Sequence, residues 1–97
     1  MSVEIKEMEI GGGKVLLVKV ELPEAPLLLA LAPKGYMMCG YLNIETAEKL
    51  NQVAAIVMGV KSFSEMLEAK VVAATRQAME RGVKEGMSGR EAILKMF

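Results

Sequence analysis

Apolar and polar residues alternate through the first twenty-odd positions, and the alternation predicts two strands. Val3 and Ile5 stand between polar neighbours, and Met8 and Ile10 continue the period of two one position out of phase. That slip predicts a bulge near Lys6-Glu7. Gly11-Gly12-Gly13 supplies a turn, after which Leu16, Val18, Val20 and Leu22 share one face of a second strand while Lys19 and Glu21 point away. The two strands form a β-hairpin. Pro23 and Pro26 end it, because each lacks a donor and biases its predecessor away from regular pairing.

Three apolar runs follow without polar alternation: Leu27 to Ala32, Tyr36 to Leu42 and Val53 to Met58. Continuous apolar runs of this length read as strands covered on both faces, with Pro33-Lys34-Gly35 as the turn between the first two. Between the second and third, Asn43 is a helix cap, Glu45 lies near the positive end of the helix dipole, and Ile44, Ala47 and Leu50 recur at helical spacing. Strand, short helix, strand predicts a tight βαβ crossover with its two strands parallel.

Ser62-Phe-Ser-Glu65 has the form of a capping box and opens the longest helical pattern in the chain. Phe63, Leu67, Val71, Ala74 and Ala78 make its apolar stripe and Gly82 its stop. Ser88-Gly-Arg-Glu91 repeats the box ahead of a last helix that buries Ile93, Met96 and Phe97. The expected fold is α+β, a single domain over residues 1–97: an N-terminal β-hairpin region (1–26), then a βαβ unit and C-terminal helices (27–97). About five strands in a mixed sheet then face about three helices. One sheet surface lacks a helical cover, and a symmetric partner is its expected cover.

Composition sharpens this picture. Of 97 residues, 53% are hydrophobic, and the mean hydropathy is +0.32. A chain this short carries more apolar surface than a monomer readily hides, so a homo-oligomer is expected, with the hairpin region as the contact. Twelve basic and twelve acidic residues cancel, no charge block forms, and only 4% of residues are aromatic. Neither nucleic acid nor a membrane surface is an expected partner. Residues 25–42 form an apolar window long enough to span a bilayer, but Pro26, Pro33 and Lys34 interrupt it. A lysine near the centre of a span costs about 2.5–3.5 kcal/mol. No basic stretch followed by an apolar run marks the start of the chain as an export signal, and one cysteine cannot form an intrachain disulfide. A cytoplasmic location is expected. Every acidic residue is Glu and none is Asp, a usage like that of thermophiles.

The chain has no histidine. With neither His nor Asp it cannot build a Ser-His-Asp triad, a Cys-His pair or the usual zinc sets, and no copy in a homo-oligomer can supply them. Acid–base chemistry is left to Glu, Lys, Tyr or Cys. Cys39 is a candidate nucleophile if Lys34 or Lys61 lies close, whereas within an apolar strand a thiol ordinarily behaves as a small hydrophobe. Met37 and Cys39 share a strand face, but two soft ligands are too few to imply a metal, so none is expected, nor any cofactor. Tyr36 and Tyr41, an odd number of residues apart, should face opposite sides of their strand. A parallel pair would place the ends of its strands, and with them Asn43, Lys61 and Ser62, on one edge. These three form a candidate ligand site for a small anion; the alternative is two helix caps and a solvated lysine.

The segments KVELPEAPLLLALAPKGYMMCGYLNIETAEKL, AAIVMGVKSFSEML and ATRQAMERGVKEGMSGREAI, in that order, resemble the YunC-like family of bacterial and archaeal domains of unknown function. The most specific pieces are KGYMMCGYLN at Lys34 to Asn43 and GVKSF at Gly59 to Phe63. The resemblance implies an α+β domain whose N-terminal β region mediates tetramer formation. It implies no substrate and no catalytic residue. The function expected is that of a homo-oligomeric, small-molecule-binding or regulatory interaction module; the alternative is an enzyme without histidine, using Cys39, Lys61 or Tyr41 in a pocket at the strand ends.

Overall fold

A computed structural model describes residues 2–41 and 43–97. Leu42, the last residue of the second apolar run, lies outside them. The elements are β1 (Val3–Ile10), β2 (Gly13–Val20), β3 (Leu27–Ala32), β4 (Gly35–Met38), α1 (Ile44–Lys49), β5 (Ala54–Ile56), α2 (Phe63–Glu68), β6 (Ala73–Ala74), α3 (Arg76–Glu80) and α4 (Gly89–Leu94). Among the described residues six strands form one mixed sheet in chain order. Every pair is antiparallel except β4 with β5, which run parallel on either side of the α1 crossover.

The hairpin forms where its glycines predict. Gly11 and Gly12 have φ of 58° and 84°, and a two-residue turn with both φ positive matches the right-handed twist of the flanking strands. The predicted bulge is absent. Pairing runs without interruption from Val3 opposite Val20 to Ile10 opposite Gly13. The change of phase reflects apolar residues on both faces: Met8 and Ile10 point toward the helices, while Val3 and Ile5 point away, 60% and 64% exposed.

Following that alternation across the sheet separates two clusters. On one face Val15 and Leu17 of β2, Leu28 and Ala30 of β3, Met37 of β4 and Ala55 of β5 pack with Met66 and Leu67 of α2 and with Ala92, Ile93 and Met96 in and after α4. Full burial of each large side chain here contributes about 1.5–3 kcal/mol. Gly89 lets α4 approach: a Cβ at that position would sit 2.8 Å from Met37 Cε. On the opposite face α1 covers only the later strands, through Ala47 against Met38, Ala54 and Ile56. Leu50 ends α1 exposed, not packed as its spacing predicts. Over the hairpin and β3 no helix among the described residues covers that face, and Leu16, Val18 and Val20, with Leu29 and Leu31 alongside, line it half-buried or exposed.

The long helix predicted from Ser62 is instead α2, β6 and α3. After Glu68 the main-chain N–H groups turn sideways: Val71 donates to Met87 O, Val72 to Ile56 O and Thr75 to Ala54 O. The β-branched pair Val71-Val72 favours extended backbone, and the exposed margin of β5 offers the hydrogen bonds. Buried Thr75 then starts α3, its Oγ1 accepting the Ala78 N–H at 3.2 Å and the Ala54 N–H at 3.1 Å. Glu48 of α1 also accepts the Arg76 N–H, at 2.8 Å, which ties α1 to α3. Ser88 and Glu91 make the predicted capping box. At Ser62 only half of it forms, because the Glu65 carboxylate takes the Lys61 N–H at 2.7 Å. Arg81 donates to the carbonyls of Lys95 and Phe97 and holds the segment after α4 against the body.

Candidate functional site

Parallel pairing places Tyr36 beside Ala54 and Met38 beside Ile56, so β4 and β5 end side by side. Beyond that level the chains separate. Cys39 remains on the ladder, its N–H donating to the Leu28 carbonyl at 3.2 Å, and Val57 donates to Met38 O at 3.0 Å. Gly40-Tyr41 then turns one way, and Met58-Gly59-Val60-Lys61 the other, through Gly59 at φ 73°.

Between these segments and Ala25-Pro26 of the β2–β3 loop lies a cleft of about 280 Å³. Its walls are mainly apolar. Cys39 forms part of the floor, and Met58, 60% exposed, stands over Gly40, where a Cβ would come within 3.1 Å of its methyl group. Tyr41 spans one side and donates its hydroxyl to the Ala25 carbonyl at 3.0 Å. Lys61 is the only charged side chain among the described lining residues, and its ammonium makes no ion pair with them.

Cys39, Tyr41 and Lys61 therefore meet in one cleft. Lys34, the other lysine considered for Cys39, lies beyond the opposite end of β4, where its N–H donates to Met96 O. Cys39 is a free, buried thiol, and its Sγ accepts the Leu28 N–H at 3.4 Å. As it stands, this is a packed core residue whose edge reaches the cleft.

Asn43, Lys61 and Ser62 line three different hollows. Asn43 caps α1, its Oδ1 accepting the N–H groups of Glu45 and Thr46 at 2.8 and 3.3 Å, and it faces a hollow with Tyr36, Met38 and Leu50. Ser62 caps α2, accepting the Glu65 N–H at 3.2 Å, and faces a hollow toward β1. Both tyrosines border the Asn43 hollow, contrary to the opposite-face expectation, because β4 ends at Met38 and strand alternation ends with it. Tyr36 donates its hydroxyl to Gln52 Oε1. Sequence reasoning missed Ala25, Pro26 and Met58 as walls of the cleft. Met58 had a signal, an apolar residue overrunning the end of a strand; Ala25 had none. Among the described residues no group of three or more His, Cys, Asp or Glu side chains could hold a metal ion, and no helix is long and apolar enough to cross a membrane.

A family described as a domain of unknown function, DUF1805, matches residues 38–96, which include most of the cleft. The uncharacterized protein YunC of Bacillus subtilis (strain 168) is 37% identical over 99 residues, 98% of either chain. A crystal structure of TA1206 from Thermoplasma acidophilum, a protein of unknown function, superposes with a TM-score of 0.95 at 44% identity, covering 99% of this chain and 94% of that one.

Proposed function

The chain belongs to the YunC-like DUF1805 family of domains of unknown function, and from that premise we propose that it is a cytoplasmic, homo-oligomeric module that binds a small anionic molecule. The cleft at the ends of β4 and β5 carries this reading. Crevices beyond the carboxyl ends of parallel strands are habitual ligand sites, and a volume near 280 Å³, just below the usual range for ligand pockets, suits a small molecule. Apolar walls of Pro26, Tyr41 and Met58 with the Lys61 ammonium at hand suit a compact carboxylate with an apolar body. Self-association uses the hairpin region, where the helix-free face carries Val3, Ile5 and Leu16 exposed and continues onto Leu31 of β3. A tetramer is the assembly that the sequence resemblance implies. The free thiol of Cys39 suits a reducing compartment.

The convergence of Cys39, Tyr41 and Lys61 on one cleft favours a second reading, an enzyme that works without histidine. Burial of the thiol and its hydrogen bond to Leu28 weigh against it.

Native mass spectrometry of protein purified gently from its own host tests both readings. The expected spectrum is an oligomer with a reproducible added mass that Lys61→Ala loses. Conversion of that ligand to a new mass on incubation would move the assignment to the enzyme. A clean oligomer without added mass would overturn the binding reading, and a monomer would overturn self-association.

A further inference from the structure

The hollow between β1, α2 and the start of α4 is separate from the cleft. We propose that it binds the phosphate group of a small phosphate monoester, because Lys6, Arg90 and the Ser62–Ser64 hydroxyl pair, brought together from three elements, border one cavity whose other walls are three apolar side chains and Glu68. The cavity measures about 320 Å³. Lys6 reaches it from β1 and Arg90 from α4, and neither takes part in an ion pair among the described residues.

The hydroxyls leave a donor free. Ser62 Oγ accepts the Glu65 N–H at 3.2 Å and lies 3.2 Å from Ser64 Oγ. Two hydroxyl protons are present and one is spent between the two oxygens, so the other can go to a ligand. The main-chain donors at the start of α2 play no part in this assignment. Ser62 takes the Glu65 N–H, and the Glu65 carboxylate takes that of Lys61.

A guanidinium fork, an ammonium and a hydroxyl approaching from separate elements suit a tetrahedral dianion with three terminal oxygens better than a planar carboxylate with two. Met8, Phe63 and Leu67 supply an apolar wall for the body of the ester. Glu68 also lines the cavity. It lies one helical turn beyond Ser64, about 6 Å along the axis, and repels a second anionic group. The site thus selects a monoester over a bisphosphate or a nucleic-acid backbone, in keeping with a chain of zero net charge.

The test is a titration of the full ¹⁵N-labelled chain with phenyl phosphate, followed by amide shifts, with benzoate and sodium chloride as controls at equal ionic strength. The expected result is saturation in the low-millimolar range with the largest shifts at Lys6, Ser64 and Arg90. Lys6→Ala and Arg90→Ala, both at exposed positions and expected to leave the circular dichroism spectrum unchanged, should each weaken binding about tenfold. Glu68→Gln should strengthen it about threefold by removing a like charge. Shifts matched by sodium chloride would mean an adventitious ion only and would overturn the site. Benzoate binding as tightly as phenyl phosphate, or an Arg90→Ala variant with unchanged affinity, would overturn it equally. Lys61 is absent from this hollow, so these outcomes are independent of ligand retention in the cleft.

Discussion

The thiol of Cys39 and the main-chain N–H of Leu28 form a hydrogen bond of 3.4 Å, while the Cys39 N–H donates to the Leu28 carbonyl at 3.2 Å. The sulfur stands where the next strand carbonyl would continue the ladder between β3 and β4. Leu28 is fully buried, so its N–H has no access to water. Cys39→Ala should therefore cost about 1–3 kcal/mol, the penalty for stranding a buried donor, and Cys39→Ser, which keeps an acceptor, should cost less. Urea unfolding of the two variants measures this. An alanine variant as stable as the parent would show that the thiol contributes no hydrogen bond of consequence.

Burial also governs reactivity at this position. Iodoacetamide should label native Cys39 far more slowly than a free thiol, with the rate rising steeply as urea approaches the unfolding midpoint. Labelling at the free-thiol rate in buffer would instead mean that the floor of the cleft opens readily, and would strengthen the enzymatic reading.

Thr75 is a fully buried polar residue and joins β5 to α3. Thr75→Val keeps the shape and removes the acceptor for two main-chain N–H groups, one of them a helix cap. A loss of about 2–4 kcal/mol is expected from the cap and the stranded donor together. Chemical denaturation reads it directly, and a loss under half the lower figure would mean that neighbouring groups re-pair.

The turn glycines should separate by their surroundings. Gly12 has positive φ and open space where a Cβ would stand, so Gly12→Asn should be nearly neutral and Gly12→Ala should cost about 1 kcal/mol. Gly11 also has positive φ, but its Cβ would collide with the Leu94 side chain. Gly11→Ala should thus lower the thermal midpoint more than either Gly12 variant, and equal midpoints for the two alanine variants would contradict this packing.

Sedimentation tests the open face. Ile5→Glu combined with Leu16→Lys places a lysine directly opposite Glu7 and diagonal to the new carboxylate, so the hairpin itself should tolerate both. If the chain self-associates through this face as proposed, covering these side chains contributes up to about 1.5–3 kcal/mol each, so losing two from each copy should shift the protein to its 10.5 kDa subunit. A parent that sediments as an oligomer with a coefficient the two substitutions leave unchanged would mean that self-association uses another surface, and a parent that sediments as the subunit would overturn the proposed self-association.

What the sequence determined by itself is the part of the fold that local chemistry dictates. The triple glycine sets the hairpin turn, Asn43 and Ser88 cap the helices assigned to them, and two apolar runs spaced for a short crossover become a parallel pair. These features depend on backbone conformation and on neighbours close along the chain, the parallel pair reaching furthest, from Tyr36 to Ala54. Tertiary structure decided the rest. Helical spacing from Phe63 to Ala78 was a sound local pattern, yet the margin of β5 captured Val72 and Thr75 in hydrogen bonds that a helix would have used internally. The phase slip in β1 became a second apolar face because an unbroken ladder left no room for a bulge. The candidate site followed the same division: the strand ends lay side by side as predicted, but Asn43, Lys61 and Ser62 opened onto different hollows while Cys39, Tyr41 and Lys61 came to share one. Which side chains converge depends on how each chain turns after its last ladder hydrogen bond, and that is set by contacts with segments remote in sequence, such as Tyr41 with Ala25.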